Sequence, residues 1–186
     1  KHIEAMEILS GSGRPTVEVT VTTAAGIIAT ASVPSGTSKG KYEAFELYDH
    51  EERYRGLGVQ KAVRNVNDII APAMKKMPVT SQKEIDEKLL TLDGTQNKSR
   101  LGANAILPVS VALCKAGSES LKTPLYQYLG ESNKKSLPIP IATVIAGGSY
   151  APAKLDFEDY ILIPKGFETF AESVEALVET RKRLEE

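Results

Sequence analysis

The opening third of the chain alternates. Val17, Val19 and Val21 interleave with Glu18, Thr20 and Thr22, and β-branched residues at a spacing of two predict a half-buried strand. Ala24-Ala25-Gly26 turns the chain, and Ile27, Ala29, Ala31 and Val33 repeat the alternation. With Ile3 to Leu9 before them, these stretches predict a three-stranded antiparallel meander, its first connection punctuated by Gly11, Gly13 and Pro15.

After Gly58 the period becomes helical. Val59, Ala62, Val63, Val66, Ile69 and Ile70 fall on one face, and Pro72 is expected to end or bend that run. Ser81 followed by Glu84 has the form of a capping box and opens a helix whose apolar face holds Ile85, Leu89 and Leu92. A third helix is expected over Asn104 to Ala116, bent or delayed by Pro108, and a short turn from Pro124 to Leu129 closes at Gly130. Beyond the polar link Ser132-Asn133-Lys134-Lys135, Pro140 to Ile145 and Tyr160 to Ile163 look like buried strands. Thr169 and Glu172 cap a last helix with Phe170, Val174, Leu177 and Val178 as its stripe.

The pattern describes an α+β protein: a meander with about four helices over residues 1–130, then a β-β-α unit over 131–186. A β/α barrel needs roughly 200–250 residues. On this reading the second part either belongs to a longer chain or pairs its strands with another copy.

Composition narrows the function classes. The content is 41% hydrophobic and 25% charged, and 23 basic against 24 acidic residues leave a net charge of −1. Such balance provides no electrostatic footprint for nucleic acid or an anionic membrane. Arg181-Lys182-Arg183, followed by Leu184-Glu185-Glu186, reads as a solvated helix face. The one cysteine, Cys114, sits in an apolar run as a core residue and points to a reducing, cytoplasmic compartment. His2 and His50 lack partners at zinc-like spacing, and no apolar run approaches a membrane span.

Candidate chemistry lies in two places. From Gly147 to Pro164 a Gly-rich turn leads into Glu158 and Asp159, set against an apolar strand. Carboxylates there are costly to desolvate unless a cation or hydrogen bonds meet them. Neighbours on a strand point to opposite faces, so only one of the two can face a shared pocket, and they stand as equal candidates. Tyr150 is placed either to donate to a ligand or to cap the strand end. The second place is Ser35-Gly36-Thr37-Ser38-Lys39-Gly40-Lys41. Its spacing fails the phosphate-loop pattern, which leaves a hydroxyl-rich lid over an anionic substrate or a plain exposed connection. Glu43, Glu46 and Asp49, three apart, read as a solvated helix face rather than a metal site.

Taken together, these segments resemble the enolase family. Ile8 to Val19 is similar to its opening segment, Val33 to Gly40 with Glu43-Ala44-Phe45-Glu46-Leu47 to its mobile catalytic loop, and Leu92 to Ser99 with Leu101 to Ile106 to its most distinctive motif. The likeness continues through Pro138-Ile139-Pro140 and Gly147 to Pro164. It implies an N-terminal domain over 1–130, then the start of a β/α barrel over 131–186. It also implies the magnesium-dependent dehydration of 2-phosphoglycerate, a small phosphorylated carboxylate, to phosphoenolpyruvate in glycolysis.

By position, the resemblance makes Ser35 and Thr37 substrate-binding residues and Ser38 a ligand of the second magnesium. Glu158 falls where the family has Gln, and Asp159 where it has a Glu close to the departing hydroxyl. Tyr150 falls on a His that closes over the substrate, and Ala146 on an Asn. Ser10, Gly11, Ser12 and Arg14 replace the family's Asp-Ser-Arg and Asn. Homo-oligomers are implied, with Glu18 at an interface position and Met6 where a basic partner is usual. The first-metal carboxylates and the Lys base would lie beyond Glu186, so this chain alone is expected to be inactive. The rival reading is a non-catalytic paralogue serving as an assembly or binding module; the changed Tyr150, Glu158 and Asp159 favour it, and the retained loop favours the enzyme.

Overall fold

The computed structural model describes residues 1–36, 40–130, 136–148, 151 and 155–186. The chain divides into two compact units, Lys1–Ser132 and Asn133–Glu186. In the first, β1 (His2–Leu9), β2 (Pro15–Thr22) and β3 (Ile28–Ser32) form an antiparallel sheet in that order, with Ala5 opposite Val19 and Val19 opposite Ala31. Alternation decides which face is covered: Ile3, Ala5, Val17, Val19, Val21, Ala29 and Ala31 are buried together. The expected meander is therefore present.

Helical structure runs from Gln60 to Met74 in three parts: α1 (Gln60–Arg64), a π-helical turn (Asn65–Ile70) and α2 (Ala71–Met74). Pro72 does not end the run. It falls in the first turn of α2, where a missing N–H costs least. The π turn also brings Asn67 to the free edge of β1, where Ala5 N–H donates to its Oδ1 (2.8 Å) and its Nδ2 donates to Ala5 C=O (3.1 Å).

Three further helices, α3 (Gln82–Asp93), α4 (Ala103–Ser120) and α5 (Leu125–Leu129), complete the first unit, and α4 packs across β2 and β3. Ser81 and Pro108 depart from expectation. Ser81 stands at the N-cap of α3, but its side chain makes no capping bond. Pro108 does not delay α4, which begins at Ala103 and runs through it.

In the second unit β4 (Ala142–Ala146) pairs antiparallel with β5 (Asp159–Leu162), with an irregularity between Thr143 and Ile145. Helix α6 (Phe170–Glu185) starts at the full Thr169–Glu172 capping box. The strands are not buried as their apolar content predicts: Ile145, Tyr160, Ile161 and Ile163 are exposed. Apolar runs record a face suited to covering, and the described residues of this unit, two strands and one helix, leave it open.

Candidate functional site

The chain leaves β3 at Val33, held by its own N–H to Val17 C=O (3.3 Å) and by the Thr16 hydroxyl donating to its carbonyl. Pro34, Ser35 and Gly36 follow. The Ser35 hydroxyl is buried beside the Tyr48 phenol. Both peptide groups of Gly36 are met by side chains. Its N–H donates to Glu46 Oε1 (3.2 Å), and Arg14 Nη1 donates to its carbonyl (2.7 Å). Tyr48 donates its hydroxyl to the other oxygen of Glu46. Burial pushes the Tyr48 phenol above its usual range, and the Glu46 bond adds to this, while Ser35 and Arg14 act in the opposite direction. A cleft of about 280 Å³ opens here, lined among others by Pro34, Ser35, Gly36, Glu46, Asn104 and Leu107.

Glu46 is aimed by its neighbours. Phe45 N–H donates to Asn97 C=O (2.8 Å), and Ala103 N–H donates to Phe45 C=O (2.8 Å). Asn104, at the start of α4, receives Leu47 N–H on Oδ1 and returns Nδ2–H to Leu47 C=O, each at 3.0 Å. The close approach requires glycine at 102. Its φ is +93°, and a Cβ there would stand 2.6 Å from both Leu47 Cβ and Asn104 Oδ1.

Asp93, only 1% exposed, ties down the loop between α3 and α4. It accepts from Thr95 N–H (2.9 Å), the Thr95 hydroxyl and Leu101 N–H (2.7 Å). Burial alone would raise its pKa; these hydrogen bonds prevail and hold the carboxyl below the ordinary range. The Leu92–Ile106 motif is thus a clamp on residues 45–47, which in turn set the base of the Ser35 loop.

The supposed helix face of Glu43, Glu46 and Asp49 does not exist, because residues 41–50 are not helical. Glu43 is exposed, Glu46 grips the loop base, and Asp49 is buried. Asp49 accepts from Gln60 and Lys61 N–H at 2.8 Å each, so it caps α1 from eleven residues away. Spacing alone concealed these roles, since each depends on a partner remote in sequence.

Glu158 and Asp159 are exposed and belong to the second unit. Asp159 opens β5 opposite Ala146, and Glu158 C=O accepts from Gly147 N–H (2.6 Å). Ser35 belongs to the first unit. Thr37, Ser38 and Tyr150 lie outside the described residues. Among the described residues no three His, Cys, Asp or Glu side chains converge as metal ligands. They do not fit a magnesium site by themselves. No described helix is long and apolar enough to cross a membrane.

Comparison with known proteins covers both units. A family model described as "Enolase, N-terminal domain" matches residues 1–129, and one described as "Enolase, C-terminal TIM barrel domain" matches residues 134–186. The chain is 50% identical over 178 residues to a protein named Enolase from Methanopyrus kandleri, covering 96% of this chain and 42% of that protein. It is 52% identical over 178 residues to Enolase from Pyrococcus furiosus and 49% over 179 residues to Enolase from Thermococcus kodakarensis. Each of these matches covers 96% of this chain and 41% of the relative. The chain therefore spans about two fifths of the length of these relatives.

Proposed function

The chain belongs to the enolase family, and from that premise we propose that it supplies the N-terminal domain (1–130) and the first barrel elements (131–186) of a phosphopyruvate hydratase. The complete protein would dehydrate 2-phosphoglycerate to phosphoenolpyruvate with magnesium, as a cytoplasmic homo-oligomer. In this proposal Ser35, Thr37 and Tyr150 bind the substrate, Ser38 serves the second metal, and Glu158 and Asp159 are the catalytic candidates, Asp159 at the position near the departing hydroxyl. The described residues of this chain hold no cluster of His, Cys, Asp or Glu that would bind that metal unaided.

One observation carries the reading. The two segments that most resemble the family, the Ser35 loop and the Leu92–Ile106 motif, are joined in space through Phe45, Glu46 and Leu47. A connection of no consequence would not require a buried carboxylate, a bidentate Asn and a left-handed Gly beneath it.

The test compares the full gene product carrying this segment with the 186 residues alone, following phosphoenolpyruvate formation with magnesium present. Turnover by the gene product and none by the isolated chain is expected. An inactive gene product would favour a non-catalytic paralogue, and turnover by the isolated chain would overturn the assignment of the chemistry to the rest of the barrel.

A further inference from the structure

We infer that Arg14 and Glu46 form a two-sided latch on the backbone of Gly36 and are positioning residues for the Ser35 hydroxyl. The catalytic consequence rests on the function proposed above; the latch itself does not. Gly36 has no side chain to pack and lies past the end of β3, so neither ladder nor core restrains it. Its two polar groups are taken instead by two side chains of opposite charge from separate segments of the chain.

Arg14 reaches Gly36 from the tip of the β1–β2 hairpin. That tip is held by Ser10 N–H donating to Arg14 C=O (2.8 Å), Gly13 N–H to Ser10 C=O (2.9 Å) and Arg14 N–H to Ser10 Oγ (3.2 Å). The guanidinium therefore projects from a fixed post. On the other side, Glu46 divides its oxygens between Gly36 N–H and the Tyr48 phenol, and that phenol adjoins the Ser35 hydroxyl. One carboxylate thus couples the Gly36 peptide to the surroundings of Ser35. Arg14 stands where the family resemblance places Asn, so this chain makes the carbonyl contact with a residue of its own.

The decisive readout is hydrogen exchange at the Gly36 amide, followed by NMR on the 186-residue chain. Glu46→Ala should accelerate that exchange about tenfold, the scale of one lost hydrogen bond, while Glu46→Gln, which keeps an acceptor, should stay within about twofold of the parent. Arg14→Met should accelerate it about threefold and Arg14→Lys should recover part of the loss. In the full gene product Arg14→Met should lower kcat/KM about tenfold at unchanged Tm, with Arg14→Lys restoring most of it. An unchanged Gly36 exchange in Glu46→Ala would overturn the latch. Faster exchange with unaltered kcat/KM, or acceleration spread evenly over β1 and β2, would overturn the positioning role. If the unsubstituted gene product is inactive, the proposed function fails while the exchange result still decides the latch.

Discussion

Replacing Asp93 by Asn changes one oxygen for an NH₂ group at nearly constant volume, and the site exposes the consequence. Oδ1 accepts two bonds, from Thr95 N–H and the Thr95 hydroxyl, and Oδ2 accepts one, from the N–H of fully buried Leu101. The amide will keep its oxygen toward Thr95, which sets its NH₂ against the Leu101 N–H. Losing a bond to an ionised acceptor costs about 1.5–3 kcal/mol, and a buried donor left unpaired costs about 1–3 kcal/mol. Because the two overlap, we expect Asp93→Asn to destabilise the protein by about 3 kcal/mol at pH 7. The pH dependence has a definite sign. The folded-state pKa is depressed, so the stability contributed by ionisation is present above the unfolded value of about 3.9 and is lost as pH falls through the folded value. The gap between parent and variant should therefore be constant near neutrality and shrink below about pH 4. Urea unfolding followed by far-UV circular dichroism at several pH values measures it. A variant within 0.5 kcal/mol of the parent at pH 7, or a gap unchanged into acid, would refute the reasoning.

Three other substitutions test the surrounding framework. Gly102→Ala meets both a left-handed φ and two contacts at 2.6 Å, and should lower stability by more than about 2 kcal/mol in the same urea assay. Asp49→Ala removes the cap from α1 and orphans two backbone N–H groups, which should cost about 2 kcal/mol and show as a lower Tm. Thr169→Ala breaks the capping box of α6 and should cost about 1 kcal/mol, seen as reduced helical ellipticity on heating; an unchanged signal would mean the cap contributes nothing.

Local periodicity was enough to read the sheet, because Val17, Val19 and Val21 alternate against Ala29 and Ala31 in one continuous pattern. The start of α6 was equally readable, since a capping box spans only four residues. Ser81 shows the limit of that signal: the same residue spacing occurs without the bond. The loop at Ser35 and the Leu92–Ile106 motif could be singled out from residue types, but their connection could not. Asn104 meets Leu47 across 57 positions and Arg14 meets Gly36 across 22, and no spacing rule extends so far. Glu46 and Asp49 looked solvated because acidic residues usually are, whereas here each is committed to backbone N–H groups contributed from elsewhere. The β4–β5 strands misled in the other direction, since hydrophobic content reports what a strand suits and not whether a partner lies over it.

Among the described residues, every buried apolar side chain precedes Gly117. This gives the molecule an order of events during translation. Ribosomes add about 5–20 residues per second, whereas mixed α/β domains fold on timescales as short as milliseconds. The first unit can complete its interior once α4 has emerged, before the strands from Ala142 onward leave the ribosome, so the exposed segment would emerge tethered to a finished domain and not to an open coil.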